Sequence, residues 1–339
     1  MKISRRQLLK TAAAGSVGSI LGFPAITGYA QSTYNYKVAT NVQVGHSIYN
    51  RLAEAAELIK KDTDGRVNIR VFPNGQLGSD VDMLGQVRSG GIEMFSVPGV
   101  VLANLTPIAS LNSVGFAFSD YPSVWKAMDG QMGLYMREQI SAKSGLLVAD
   151  KIWDNGFRQI TSMKEISNPG DLANMKIRVP VSPMLLSIFK SLGAAPTPIN
   201  FNELYSALQT KVVEGQENPL TLINNSKLYE VQKYCAMTQH VWDGYWLVSN
   251  RRSMDNLPAN LREITMKHMN AAAMLQRSDS EKLAVSLQGD LAAKGMQFNK
   301  PHAAPFREAL RQAKFYQEWK GKFGDEAWSK LESAVGKLA

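Results

Sequence analysis

The sequence of 339 residues has one cysteine, Cys235. That excludes an internal disulfide, and its place in the strand-like YCAMT makes it a buried, inert thiol rather than a nucleophile. Histidine is scarce as well. His46, His240, His268 and His302 stand far apart, without HExxH or another paired-ligand spacing, so the sequence offers no metal site. GxSxG, GxGxxG and phosphate-loop patterns are missing, and no cofactor is expected. Beyond residue 30 there is no apolar run of the length a membrane helix needs. A dense basic face interleaved with aromatics is also missing, which argues against nucleic acid as a partner. Low-complexity segments are absent.

The N-terminus is informative. Ser4-Arg5-Arg6-Gln7-Leu8-Leu9-Lys10 followed by the weakly apolar Thr11–Ile26 reads as a twin-arginine export signal. A small-x-small cleavage site falls at Gly28-Tyr29-Ala30, before Gln31. The stretch is rich in Ala, Gly and Ser, which sets it apart from a membrane anchor. This segment, 1–30, holds Lys2, Arg5, Arg6 and Lys10 and no acid, so removing it takes the net charge from +9 to +5. The exported chain is expected to be a monomer in the periplasm, built as two domains on grounds of length.

From Tyr36 the pattern alternates. YKVAT (36–40) reads as a strand. Ser47 caps a helix through about Lys61, with Leu52, Ala56 and Ile59 on one face. Val67, Ile69 and Val71 alternate as a half-buried strand. Ser79 caps the next helix, Gly90-Gly91 closes it, and Ile92–Val97 is a strand. The rhythm restarts after Asp154. Lys176–Val179 is a strand, Ser182-Pro183 starts a helix that ends before Gly193, and Pro196–Ile199 is a short strand. Asn202 caps Glu203–Gln209, and Lys211–Glu217 is a strand. Gln239–Trp246 is a return crossing, Pro258–Lys294 a long helix, and Arg307–Lys320 and Asp325–Lys337 a helical tail. Two α/β units in series, with chain crossings near 155 and 242, predict discontinuous lobes around a cleft. The first lobe takes 31–155 with about 244–284, the second 156–243 with about 285–339.

Three blocks carry the chemistry: WDNGFRQIT from Trp153, MKIRVP from Met175 and VVEGQENP from Val212. They set Arg158, Arg178 and Asn218 beside strands. Arg178 sits in a strand that otherwise reads as buried, and a buried guanidinium needs a partner. Its planar fork suits a carboxylate. Taken alone, an ion pair or an exposed strand end accounts for Arg178, a surface position for Arg158 and a turn for Asn218.

These blocks, in this order and spacing, resemble the solute-binding subunit of TRAP transporters (tripartite ATP-independent periplasmic transporters, the DctP family). The resemblance runs from about Tyr36 to the C-terminus. It implies an α/β, two-lobe periplasmic binding fold with hinge strands and long bracing helices, no catalysis, and delivery of a small carboxylate to membrane permease subunits driven by an ion gradient. It implies that Arg178 clamps the ligand carboxylate, that Arg158 and Asn218 complete its contacts, and that Phe201 faces the ligand. Asn41 and His46 match positions that line the cleft from the first lobe. Trp242 is a further candidate ligand contact, near a predicted crossing with Trp153, Tyr245 and Trp246, at least two of these being core. Met94–Pro98 is apolar where sugar-acid binders often present a carboxylate, which disfavours a sialic acid. The favoured ligand is an aromatic or short keto or hydroxy monocarboxylate. The alternatives are a uronate or dicarboxylate, the binding protein of an ABC-type transporter, or an exported enzyme with an interdomain cleft.

Overall fold

The computed structural model describes residues 32–338, so the export signal and its cleavage site lie outside the described residues. β1 (Tyr34–Thr40) buries Val38 and Ala39. The helix that follows, α1 (Ser47–Asp62), is capped by His46 rather than Ser47. The His46 backbone is extended and its Nδ1 accepts from Ile48 N–H at 3.2 Å, while Ser47 Oγ accepts from Gln276 instead. β2 (Val67–Phe72) and α2 (Asp80–Ser89) follow, the latter with Ser79 and Asp82 in a reciprocal capping box and Gly90 in the left-handed conformation. Then come β3 (Met94–Pro98) and α3 (Gly99–Leu102). A 3-10 segment, Pro107–Ser113, leads to α4 (Tyr121–Met128), α5 (Gln131–Ser144) and β4 (Leu146–Val148).

Past β5 (Trp153–Ser162) the second unit follows: β6 (Lys176–Val179), α6 (Pro183–Ser191), β7 (Ala195–Pro198), α7 (Leu204–Gln209), β8 (Gly215–Asn218) and α8 (Leu220–Asn225). Two expectations shift here. Asn202 lies within a 3-10 turn, Phe201–Glu203, and caps nothing. β8 starts only at Gly215, because Lys211 takes a left-handed φ of 59° and turns the chain first. The return crossing is the 17-residue β9 (Tyr234–Asn250). After α9 (Arg251–Asp255) comes the 35-residue α10 (Ala259–Ala293), then β10 (Gln297–Asn299). The tail is α11 (Ala303–Gln312), α12 (Phe315–Phe323) and α13 (Asp325–Val335), with Lys314 at φ 59° breaking the first two apart.

One mixed sheet runs in the order β2-β1-β3-β9-β5-β8-β6-β7, with β4 and β10 also paired to β9. β9 serves both halves. Its Tyr245–Ser249 stretch pairs antiparallel with β3, while Tyr234–Tyr245 pairs with β5. The β5–β9 ladder is broken by irregularities at Asp154/Gly156 and Arg158/Ile160. Gly156 has φ 107°, and a Cβ there would lie 3.4 Å from Pro219 and 3.5 Å from the Tyr121 hydroxyl, so the position requires glycine. The outer strand β7 carries Pro196 and Pro198. Ala195 and Ile199 N–H donate inward to β6, so the alternate positions, the two prolines, face the open edge.

α10 ties the centre together. Gln276 accepts from Asp154 N–H at 2.8 Å and donates to its carbonyl at 2.8 Å. Arg277 donates to Ile152 O at 2.9 Å and Asp129 at 2.8 Å, with its guanidinium over Trp125. The apolar core falls into three clusters. One, under α4, α5, α6 and the C-terminal helices, runs without interruption beneath both halves of the sheet. The other two are separate, one under α1 and α10, one around α7 and Cys235, and Phe201 packs against both. The C-terminal helices touch both halves: α11 and α12 pack on α6, and α13 on α4 and α5.

Asp154 is 1% exposed, and burial pushes its carboxyl up from 3.8 to about 7, against the pull of Trp242, Tyr121, Arg277 and the Gly156 N–H. Between those two values the native state holds a proton that the unfolded chain has released, so stability falls as pH rises through that window. Asp154→Asn, which keeps an acceptor for Trp242, should gain stability relative to the parent from pH 4 to pH 7. The slope should be at most about 1.4 kcal/mol per pH unit. Denaturant titrations of both proteins across that range check it, and parallel curves would refute it.

Candidate functional site

Arg178 projects from the short strand KIRV, between Thr197 of β7 and Gln216 of β8. It is 1% exposed. Nε donates to Ile199 O at 2.9 Å, but Nη2 is buried with no partner among the described residues. Burial pushes this guanidinium down to about 10, with Arg158 adding repulsion and Glu217 and Asp80 opposing. A buried cation with an open edge is a costly arrangement, and an anion brought against that edge relieves it.

Arg158 is different. It projects from β5 between β8 and β9, and both strands meet it with acids. Nε and Nη2 engage the Glu217 carboxylate, the latter at 2.8 Å from Oε1, and Nη1 lies 2.9 Å from Asp243. Nη2 also donates to Glu217 O at 2.8 Å and Asn218 Oδ1 at 3.1 Å. Burial works against its charge, yet Glu217 and Asp243 outweigh it and hold the guanidinium above its ordinary value. Glu217 is held below the usual carboxylate range by Arg158 and His240 despite burial, whereas burial pushes Asp243 up to about 6. His240 Nε2 stands 3.2 Å from Glu217, and burial lowers this imidazole. Arg158 thus offers no open fork, in contrast to its expected place as a second ligand arginine. The sequence hid this because Asp243 lies 85 residues away on another strand.

Asn218, 1% exposed, is oriented by that network. Oδ1 accepts from Arg158 and Nδ2 donates to Gln216, which leaves one amide hydrogen. Phe201 sets its ring 5.9 Å from the Arg178 guanidinium. The same ring lines a surface recess with Gln43 and Asn74 from the β1–β2 side and Asn202 and Tyr205 from its own. Asn41 accepts from the Tyr245 hydroxyl at 2.8 Å. His46 spends Nδ1 on its capping bond and leaves Nε2 buried without a partner. Burial lowers this imidazole to about 4, so it is neutral, and with Nδ1 accepting, Nε2 carries the proton as a free donor. Trp242 faces elsewhere. Its indole N–H donates to Asp154 at 2.9 Å, and its ring packs edge-on against Trp125 and Phe118, in the cluster beneath the other face of the sheet. Trp153, Tyr245 and Trp246 are core as well, at 1% exposure or less.

The sequence reading missed Asp80, the first residue of α2. It is 4% exposed, with Oδ1 unpartnered, and burial pushes its carboxyl up to about 6 against the pull of Arg178, Asn41 and the Phe201 main chain. Groups of the β6–β8 side thus act on an acid carried by α2. The available signal was an acid directly after the cap Ser79, which reads as ordinary helix-start chemistry. In the Met94–Pro98 strand end, Ser96 Oγ is buried and unpartnered, so that end is not wholly apolar. Cys235 lies in the cluster around α7, and burial pushes its thiol up to about 12, far from nucleophilic. Among the described residues no group of three or more His, Cys, Asp or Glu is placed to hold a metal ion.

Comparison with known proteins places this geometry. A solute-binding protein of Roseobacter denitrificans is 34% identical over 254 residues, 74% of this chain and 77% of that protein. The C4-dicarboxylate-binding periplasmic protein of Rhodobacter capsulatus is 30% identical over 264 residues, 77% of each. Among solved structures, a TRAP periplasmic solute-binding protein from Polaromonas, bound to D-erythronate, superposes with a TM-score of 0.84 at 27% identity, covering 88% of this chain and 98% of that one. The fold is thus the two-lobe α/β architecture of that group. The model of the bacterial extracellular solute-binding protein family 7, DctP, matches residues 38–320, and the chain belongs to that family.

Proposed function

We propose that this protein captures a small hydroxy or keto monocarboxylate in the periplasm, after export by its twin-arginine signal, and hands it to the membrane permease of a TRAP-type transporter. One observation carries the reading: the buried Arg178 guanidinium with Nη2 unpaired. The ligand carboxylate takes that edge, and Asn218 adds its free amide hydrogen. Arg158 acts through Asn218, by fixing the amide. The neutral His46 Nε2–H and Ser96 Oγ are buried without partners and would be free to meet an α-oxygen, and Phe201, beside Arg178, would cover the ligand body. A short aliphatic acid is favoured over an aromatic one, because Trp242, Trp153, Tyr245 and Trp246 are packed in the core.

Asp80 favours one carboxylate over two. A second ligand carboxylate beside this buried acid meets either repulsion or the cost of keeping Asp80 protonated. A ligand hydroxyl can donate to it. The R. capsulatus relative binds C4-dicarboxylates and the Polaromonas structure holds D-erythronate, a monocarboxylate with hydroxyl groups, so the family accommodates both charge types. Capture needs no catalysis. The lobes, 31–155 with about 244–284 and 156–243 with about 285–339, close when a ligand touching both binds the closed state better.

A thermal-shift screen of short organic acids should find a stabilising ligand, worth about 2.7 kcal/mol at 100 times its dissociation constant. Arg178→Ala should weaken that ligand by about 2–5 kcal/mol, and Arg178→Lys should restore little, since an ammonium lacks the fork. Calorimetry showing near-parental affinity for Arg178→Ala sinks the assignment. A second test addresses charge. Asp80→Asn should improve binding of succinate relative to D-erythronate by about tenfold or more, as expected for removal of a partly buried like charge. An unchanged ratio of the two affinities would show that Asp80 does not set the charge rule.

A further inference from the structure

Asn104, in the turn after α3, lies at the rim of the β1–β3 half, exposed to solvent. Its Nδ2 donates to Val101 O at 2.8 Å, within its own turn, and to Val181 O at 2.6 Å. Val181 follows β6, three residues beyond Arg178, and precedes the Ser182 cap of α6. The bond therefore spans the two halves of the sheet. It uses both hydrogens of one amide, one to anchor the side chain locally and one to reach across. An Asn anchored in this way loses little further side-chain entropy when it bridges. Its acceptor is a main-chain carbonyl in the short link between β6 and α6, so any rotation that moves Arg178 away from the β1–β3 side also lengthens this bond.

We infer that Asn104 is a closure latch, a group that stabilises the shut cleft without touching the ligand. This rests on the reading that the halves open and close around a ligand. Across that motion the ligand's own contacts supply selectivity, and the Asn104–Val181 bond supplies a ligand-independent bias toward the closed state. A bias of this kind alters the fraction of competent protein by the same factor for every ligand. It also acts mainly on release, because the bond exists only after closure.

The test needs no ligand. Nitroxide labels on Lys61→Cys in α1 and Gln209→Cys in α7, at exposed helix ends on the two halves, report the distance distribution by double electron resonance; Cys235 is buried and does not compete. Asn104→Ala should lower the closed-to-open ratio about three- to tenfold, the worth of one hydrogen bond at a partly hydrated rim. Asn104→Asp, which keeps the shape but sets a carboxylate against two carbonyls, should lower it further. Melting temperatures confirm that both variants fold. With D-erythronate and succinate as probes, release should speed up by one common factor for each acid that binds, with association unchanged. A distance distribution that neither variant alters overturns the latch. Because that measurement is made without ligand, such a result leaves the carboxylate role of Arg178 standing. Release rates that change by different factors for the two acids would also overturn it, by showing that Asn104 reads the ligand.

Discussion

The structure depends on how it treats two buried arginines that lie on strands flanking β8. Arg158 is neutralised by Glu217 and Asp243, and Arg178 is left open. Had Glu217 turned toward Arg178, the site would be filled by the protein's own carboxylate. The strand geometry prevents this. Arg178 stands level with Gln216 of β8, and successive residues of a strand alternate between faces, so Glu217 is directed away from Arg178 and meets the guanidinium of β5. Breaking a buried pair of this kind costs about 3–5 kcal/mol, which keeps Glu217 where it is. The acid is held on one arginine, and the other keeps an unpaired edge.

Around that division the rest is arranged by packing. Beneath one face of the sheet the apolar cluster is continuous from β3 to α6. On the other face it is split, with Phe201 touching both parts. A continuous core resists separation and a split one permits it, because apolar area is exposed only where packing is interrupted. The side with the split core also carries Tyr245, bonded to Asn41, and the start of α1 at His46. β5 and β9 run between the two sides, irregular at Gly156 and near Arg158, where a ladder with missing bonds bends most readily.

Much of this was legible in the sequence, and the reasons are local. The period-2 pattern of Val67, Ile69 and Val71, the Ser79 and Ser182 caps and the Gly90 terminator act within a few residues, and the elements they mark are present. The KIRVP arginine stood out because a charge in an apolar strand is conspicuous. What sequence could not show was pairing at a distance. Asp80 reads as a helix-start acid, yet it faces a guanidinium nearly a hundred residues on. Arg158 taken alone reads as a surface arginine and by resemblance as a ligand group; neither shows that β8 and β9 bring Glu217 and Asp243 beside it. Trp242 lies near the crossing as expected, but β9 turns its ring to the other face. The Ser47 cap failed on a one-residue shift, because His46 can cap as well as serine when its Nδ1 is free to accept.

The two outer strands of the sheet have a separate consequence. A sheet that ends in unpaired N–H and carbonyl groups offers a template on which another chain can grow. Here β7 turns Pro196 and Pro198 outward, which leaves few N–H groups on that side, and β2 carries Arg70 near its end with the guanidinium 4.8 Å over Phe72. One edge is silenced by removing donors and the other by charge. A protein released into a crowded space beyond the reach of the cytoplasmic folding machinery can then accumulate to high local concentration without its sheets joining into fibres.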